Sequence, residues 1–287
     1  MQTQIGTASF EIGYGSVIGR DHIAVSKNCQ DAWHCAGTET VLVAVVCDGC
    51  GSGKHSEVGA KLGARFLTQA ILKQTEPHEA EALSTAIMAG DFWHTVREAT
   101  LSQLQTVATA LGGSLSQVVS DYLLFTVVGV IVTPLKTVIF SLGDGVYAIN
   151  GDVKTIGPFP DNMPPYLAYG LVNSSLATSN PERLHFCIEA VRPTAEVQSV
   201  LIATDGLEEL LRSTGCKLPG KNDVVGAVSQ FWEADHYFSN PDAIRRKLSL
   251  MNAESRRPDW ENRRLVKEPG LLSDDTTLVV IRKRQTS

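Results

Sequence analysis

Between Val41 and Gly53 the chain reads VLVAVVCDGCGSG: seven apolar residues, four of them valine, run unbroken into Asp48 and a glycine-rich loop. So short a run, rich in β-branched residues, predicts a buried strand. Asp48 then stands where a bare carboxylate is costly, and Gly49 lets the backbone bend so that its carbonyl approaches whatever Asp48 holds. A hard metal ion is the simplest such partner, although Asp-Gly after an apolar strand also makes ordinary turns. Repetition shifts the balance. SVLIATDG ends a second buried-strand pattern in Asp205-Gly206, TVIFSLGDG varies the device around Asp144, and LLSDDTTLVVI reverses it, with Asp274 and Asp275 ahead of the strand. Acids at four strand ends point to one site.

The remaining pattern predicts an α+β layered domain rather than a parallel doubly wound sheet. A first strand is expected at Ala8–Tyr14 and a polar segment at 20–33. An amphipathic helix at 56–73 presents Val58, Leu62, Phe66, Ala70 and Ile71. A second helical stretch covers 79–111, broken near Gly90-Asp91 and stopped by Gly112-Gly113. Strands at 122–132, 137–142 and 146–150 form a meander with turn residues at each break, a proline-rich loop fills 159–169, and strands follow at 184–190, 199–204 and 277–282. No repeat or second domain is visible in the 287 residues, so 1–287 is expected to be one domain with a polar helical insertion at about 219–265. That insertion carries Arg245, Arg246, Lys247, Arg256, Arg257, Arg263 and Arg264: a solvated face, or a docking surface for acidic or phosphorylated partners.

A net charge of -6 argues against a dedicated nucleic-acid binder. The longest apolar stretch, 123–135, is interrupted by Thr126, Thr133 and Pro134 and is too short for a bilayer, and the N-terminus shows no secretory pattern; a cytoplasmic protein with reduced thiols is expected. Cys47 and Cys50 form a C-x-x-C that could be joined by Cys29, His34 and Cys35 in a zinc site, but Asp48 and Gly49 between them are better explained by oxygen chemistry.

Taken in order, NCQDAW, CDGCGSG, LGDG, ATDGLEEL and SDDTTLVV resemble the metal-dependent serine/threonine protein phosphatases of type 2C, particularly their divergent bacterial branch, over Gly13 to Ile281. The resemblance implies a four-layer α-β-β-α sandwich of two antiparallel sheets flanked by helices, with two or three Mg²⁺ or Mn²⁺ ions at one end. It implies that Asp48 bridges two ions with the Gly49 carbonyl completing one shell, that Asp205 and Asp274 hold the other ion, and that Asp121 serves a weaker third. Asp31 joins Asp48 and Asp205 as a catalytic acid, and Asp144 supports structure. Gln30 stands where the family places a metal-side glutamate, and Ser26 where it places a phosphate-binding arginine; Lys27, His22 and Arg20 are the candidates to replace that arginine. Cys50 occupies the place of a histidine in animal relatives, and Leu124 and Phe125 replace small residues. The implied partners are a phosphoserine or phosphothreonine protein and a cognate serine/threonine kinase pathway, with the phosphatase a monomer.

Electrostatics supports this allocation, since two carboxylates ~4 Å apart repel by roughly 4 kcal/mol at an effective dielectric of 20 and divalent ions reverse the sign. A water shared by two such ions becomes a nucleophile near neutral pH. No cysteine is followed six residues later by arginine and no Asp-x-Asp-x-Thr follows a strand, which removes the covalent phosphatase mechanisms. Two rivals stand: a weakly active or inactive phosphatase-like module that binds a phosphorylated partner, motivated by Gln30 and Ser26, and a two-metal nuclease or nucleotide hydrolase, disfavoured by the acidic charge and the absence of a phosphate-cradling glycine loop followed by Lys-Ser or Lys-Thr.

Overall fold

The computed structural model describes residues 2–5, 8–160, 163–172 and 181–284. Its strands, numbered along the chain, form two large antiparallel sheets and one separate two-stranded hairpin. The six-stranded sheet runs β1 (Gln2–Ile5), β2 (Ala8–Val17), β13 (Thr276–Lys283), β10 (Ser199–Ala203), β7 (Gly145–Ile149), β8 (Asp152–Ile156). The five-stranded sheet runs β3 (Ala32–Gly37), β4 (Leu42–Gly49), β5 (Phe125–Val132), β6 (Lys136–Leu142), β9 (Cys187–Pro193).

The continuous apolar runs follow from burial on both faces. On β4, Leu42, Ala44 and Val46 face the other sheet and join Val128 and Val130 of β5, Val200 and Ile202 of β10, and Val279 and Ile281 of β13. The alternate residues Val43, Val45 and Cys47 face outward onto helices Ser56–Thr75 and Gly90–Leu111. A third apolar cluster lies between the outer face of the six-stranded sheet, through Leu201, Leu278 and Val280, and Phe231, Tyr237, Ile244, Leu248 and Met251. Three apolar layers between four structural layers make the expected α-β-β-α sandwich.

The helix at 56–75 turns a different stripe to the core than bulk apolarity predicts. Gly59, Ala60, Gly63, Ala64 and Leu67 are buried, as Ala70 and Ile71 are, while Val58, Leu62 and Phe66 are only half-buried. The reason is close approach. A Cβ on Gly59 would lie 2.2 Å from the Tyr122 carbonyl oxygen, and one on Gly63 would lie 2.1 Å from the Phe125 ring.

The meander breaks at β7. Strands β4, β5 and β6 are sheet neighbours, but Gly143-Asp144-Gly145 carries the chain across to β10 in the opposite sheet. Both glycines are left-handed (φ 98° and 147°), and a Cβ on Gly143 would lie 2.6 Å from Thr126. The segment 219–265 departs further. It contains helices Gln230–Glu233, His236–Ser239 and Ala243–Met251, followed by an antiparallel hairpin of β11 (Ser255–Asp259) and β12 (Arg264–Glu268) where helix was expected. Pro258 cannot donate within a helix, and Asp259 accepts from the Asn262 N–H to set the turn instead. The helices of this segment are one outer layer of the sandwich: Ile244 and Arg245 press so near β2 that a Cβ on Gly15 would come within 2.6 Å of them. Within the proline-rich stretch, residues 161 and 162 lie outside the described residues, while Tyr166 and Leu167 are buried on the outer side of the five-stranded sheet.

Gly63→Ala should therefore destabilise the protein by about 1–3 kcal/mol through overpacking against Phe125, read as a lowered thermal midpoint, although alanine is the better helix former.

Candidate metal centre

Strand alternation turns Asp48, Asp31 and Asp275 inward, whereas Asp205 and Asp274 stand one residue off that parity in the loops that flank β10 and β13. The inward parity of β4 (42, 44, 46) continues to Asp48. On β3, Trp33 packs against the inner core, so Asp31, two residues earlier, also points inward. On β10 and β13 the inward residues Val200, Ile202, Val279 and Ile281 extend to Thr204, Thr277 and Asp275. Register aligns them at one end of the sandwich: Ala32 opposes Cys47, and the Thr204 N–H donates to the Thr277 carbonyl at 3.0 Å.

The carboxylates meet there. Burial, followed by the charges of Asp31, Asp205 and Asp274, holds the Asp48 carboxyl well above the usual range. Asp31 is fully buried and is raised by burial and by Asp275, against a lowering hydrogen bond from the Thr204 hydroxyl at 2.7 Å. Asp274 is raised by burial and by Asp205, and Asp144 is pushed up to about 6 by burial and then Asp205. Gln30 donates its amide to Ser56 Oγ at 2.6 Å and to the Gly53 carbonyl at 3.3 Å. Gly49 is forced, because a Cβ there would stand 2.6 Å from the Gln30 carbonyl oxygen.

Other candidate residues are placed differently. Asp121 pairs with Lys54 Nζ at 2.9 Å. Arg20 gives its guanidinium to the Gly270 carbonyl at 2.6 Å and to Asp21, and Lys27 gives its ammonium to the Gly51 carbonyl at 2.5 Å. His22 Nδ1 lies 3.0 Å from Asp275 Oδ2.

Three further positions gain a role only from contacts in the fold. Asp275 accepts the N–H groups of Gly19 and Gln30 and so ties both approach segments to the acid loop. Glu209 accepts from the Ser273 hydroxyl and backbone N–H, bracing the same loop. Arg212 is a cation on the wall of a groove of about 240 Å³ that also exposes Asp205, Asp274, Asp144 and Glu208. A signal for Glu209 exists in ATDGLEEL, one helical turn after Asp205-Gly206; nothing in the linear pattern singles out Arg212.

These residues fit a hard divalent cation. Gln30 Oε1, Asp31 Oδ1 and Asp205 Oδ1 are buried with no hydrogen-bond partner among the described residues, so oxygen lone pairs point into the cluster unsatisfied. These three are carboxylate and amide oxygens, the set that suits Mg²⁺ or Mn²⁺, and among the described residues the His/Cys/Asp/Glu group with ligand atoms within 4.8 Å of one another is His22, Asp274 and Asp275. The zinc alternative finds no thiol cluster among the described residues: Cys47 faces the helical side and Cys35 the sandwich interior.

The shifts carry a sign. Unfolded carboxylates ionise near pH ~4, whereas folded, metal-free Asp31, Asp48 and Asp274 keep their protons to higher pH. The folded state then binds more protons, so stability of the chelated protein should fall as pH rises from ~4 through the folded values, the Asp144 contribution ending near its value of about 6. Asp48→Asn should flatten that slope and abolish protection by Mn²⁺, which in the unsubstituted protein amounts to about 2.7 kcal/mol at 100 times the dissociation constant. Thermal melts across this pH range, with chelator and with Mn²⁺, check both effects.

A family model described as Protein phosphatase 2C matches residues 18–248. No curated protein sequence matches the chain. Among solved structures, the serine/threonine phosphatase Stp1 from Staphylococcus aureus superposes with a TM-score of 0.51 at 15% identity, covering 99% of each chain. A bacterial serine phosphatase variant gives a TM-score of 0.50 at 14% identity over 97% of this chain and 100% of its own. Among the described residues, no helix is long and apolar enough to cross a membrane. With five motifs in family order, a two-sheet sandwich and a family model matched over most of its length, the chain belongs to the protein phosphatase 2C family.

Proposed function

We propose that the chain is a metal-dependent phosphoprotein phosphatase acting on phosphoserine and phosphothreonine. The observation that carries this reading is the convergence of Asp31, Asp48, Asp205 and Asp274 at one end of the sandwich with buried oxygens left unpartnered. Two or three Mg²⁺ or Mn²⁺ ions, held by Asp48, the Gly49 carbonyl, Asp205 and Asp274, would supply an activated water and neutralise charge on a phosphoryl group.

The chain's own residues then have separate roles. Asp31 is fixed by the Thr204 hydroxyl, which keeps one oxygen turned toward the cluster. Asp275 and Glu209 hold the 273–275 loop so that Asp274 faces Asp205. Gln30 contributes a neutral oxygen, and Asp121 serves a third ion only by releasing Lys54. For substrate phosphate, Arg212 is better placed than Arg20 or Lys27, whose charged ends are engaged with carbonyls; His22 sits against Asp275 and serves as a secondary donor. A cognate serine/threonine kinase, a cytoplasmic setting and a monomeric state accompany this reading.

Neutral Gln30 is the observation that favours the second reading, a phosphoprotein-binding module with little turnover. One experiment separates the two. Phosphate release from a phosphothreonine peptide should require Mn²⁺, stop with chelator, and fall by about 100-fold or more in Asp205→Ala. Metal binding without turnover would select the binding module. In the active protein, Arg212→Ala should raise KM about tenfold, worth about 1.4 kcal/mol, with a small change in kcat, and should weaken inhibition by inorganic phosphate in parallel.

A further inference from the structure

We infer that the hairpin β11–β12 is a docking site, outside the metal centre, for an acidic segment of the phosphoprotein substrate; the identity of that partner rests on the phosphatase reading. Trp260 at the hairpin turn is 83% exposed, whereas Trp93 is buried and Trp33 and Trp232 are half-buried. The turn does not need an indole there. It is closed by Asp259 accepting from the Asn262 N–H at 3.1 Å and from its side-chain amide at 2.9 Å, and by Arg263 in the left-handed region at φ 52°. The strands beneath are held by a five-pair register from Ser255–Glu268 to Asp259–Arg264. The indole is thus presented on a fixed frame and contributes nothing to the core.

A groove of about 500 Å³ lies along this tip, lined by Pro258, Trp260 and Leu265, by Arg263 and Arg264, and by Asp259, whose carboxylate is taken up by the turn and by Arg264. Leu265 is 54% exposed. An aromatic face beside guanidinium groups is the combination that recognises a short acidic peptide: the carboxylates take charge-assisted bonds while an apolar side chain covers the ring. The charge balance favours that occupant. Residues 255–268 carry Arg256, Arg257, Arg263, Arg264 and Lys267 against Asp259, Glu261 and Glu268, in a chain whose net charge is -6. Arg256 is paired with Glu254, Arg257 with Glu268 and Arg264 with Asp259, while Arg263 enters no ion pair among the described residues. Such a modest, mixed surplus is too small for a nucleic-acid backbone or an anionic bilayer, which call for a larger basic patch, and is sufficient for a peptide with a few carboxylates.

Position relates the hairpin to the reaction. Its base adjoins the loop that carries Asp274: the Leu271 N–H donates to the Met251 carbonyl, and the Arg20 guanidinium binds Gly270. Five-residue strands place the tip about 17 Å from that base. About five or six extended residues of a substrate span the hairpin's own length, which sets the spacer used in the test.

The test uses two phosphothreonine peptides, one short and one extended after six residues by Asp-Glu-Leu-Glu-Glu, together with the unphosphorylated extended peptide in chelator for calorimetric binding. The expected result is calorimetric binding of the unphosphorylated peptide and a KM about tenfold lower for the extended phosphopeptide, both lost in Trp260→Ala and in Arg263→Glu, with turnover of the short peptide and the thermal midpoint unchanged. Equal KM values with no binding in chelator would overturn docking while leaving the phosphatase reading intact. Binding without turnover would uphold docking and overturn the phosphatase reading. Binding of a mixed-sequence oligonucleotide or of phosphatidylserine vesicles at the hairpin, with none of the peptide, would also overturn the assignment.

Discussion

Mutual repulsion among carboxylates is the constraint to which the rest of this structure answers. Asp31, Asp48, Asp205 and Asp274 approach closely enough that each of the three with a raised carboxyl is raised by at least one other acid of the cluster or by Asp275. The nearby lysine and arginine do little to relieve this, since Lys54 pairs with Asp121 and Arg20 with Gly270. Hydrocarbon packing fixes the ends of the strands: inward residues of four strands from both sheets interlock below the acids, and alternation turns Asp48 and Asp275 inward, while Asp205 and Asp274, one residue off that parity, are placed by the loops that flank β10 and β13. Packing energy distributed over the sandwich thereby opposes electrostatic strain concentrated at one end. A divalent cation would convert that strain into binding, so that the side chains that repel one another without it are the ones suited to hold it.

Much of this is legible in the linear sequence, for a physical reason. Strands buried on both faces read as uninterrupted apolar runs, and an acid at the end of such a run has few explanations, so Asp48, Asp205 and Asp274 stand out from the order of residues alone. What escapes is information carried by contact rather than by period. The helix at 56–75 buries Gly59 and Gly63 because Tyr122 and Phe125 come close, and no periodicity of bulk apolar residues reports that. Likewise β7 follows β6 by a turn typical of hairpins, yet the two left-handed glycines around Asp144 direct the chain to the other sheet. The charged stretch 255–268 scores as helix by composition and forms a hairpin because Pro258 and the turn at Asp259 to Arg263 exclude continuous helix. Asp121 matches a family spacing, but its partner Lys54 is 67 residues away in sequence.

The absence of an arginine at position 26 has a local structural counterpart. Ser26 is left-handed at φ 57° and ends the helical turn begun at Arg20, with the Lys27 N–H returning to the His22 carbonyl at 2.9 Å. The chain leaves that turn with Lys27 directed at the Gly51 carbonyl, so the segment offers no free guanidinium to the acid cluster. Arg212 approaches from the opposite sheet, on the helix that follows Asp205-Gly206. Its carboxylate partner Glu208, one turn earlier, holds it only by an exposed pair, the kind worth ~1 kcal/mol or less, so the guanidinium is weakly tethered on the groove wall.

Gln30 shows how the cluster tolerates its own charge. Its backbone N–H serves Asp275, its carbonyl accepts from the Gly49 N–H, and its amide nitrogen serves Ser56 and the Gly53 carbonyl, so three of its groups brace the loops that carry the acids. A glutamate could not donate to the Gly53 carbonyl and would add another acid to a cluster already crowded enough to retain protons. The neutral amide therefore keeps the loops fixed and limits the repulsion, while its remaining oxygen, buried and without a partner, stays available as a weak ligand. Weaker attraction for a cation and greater tolerance of its absence would both follow from a neutral side chain at position 30, and neither would remove the carboxylates around it.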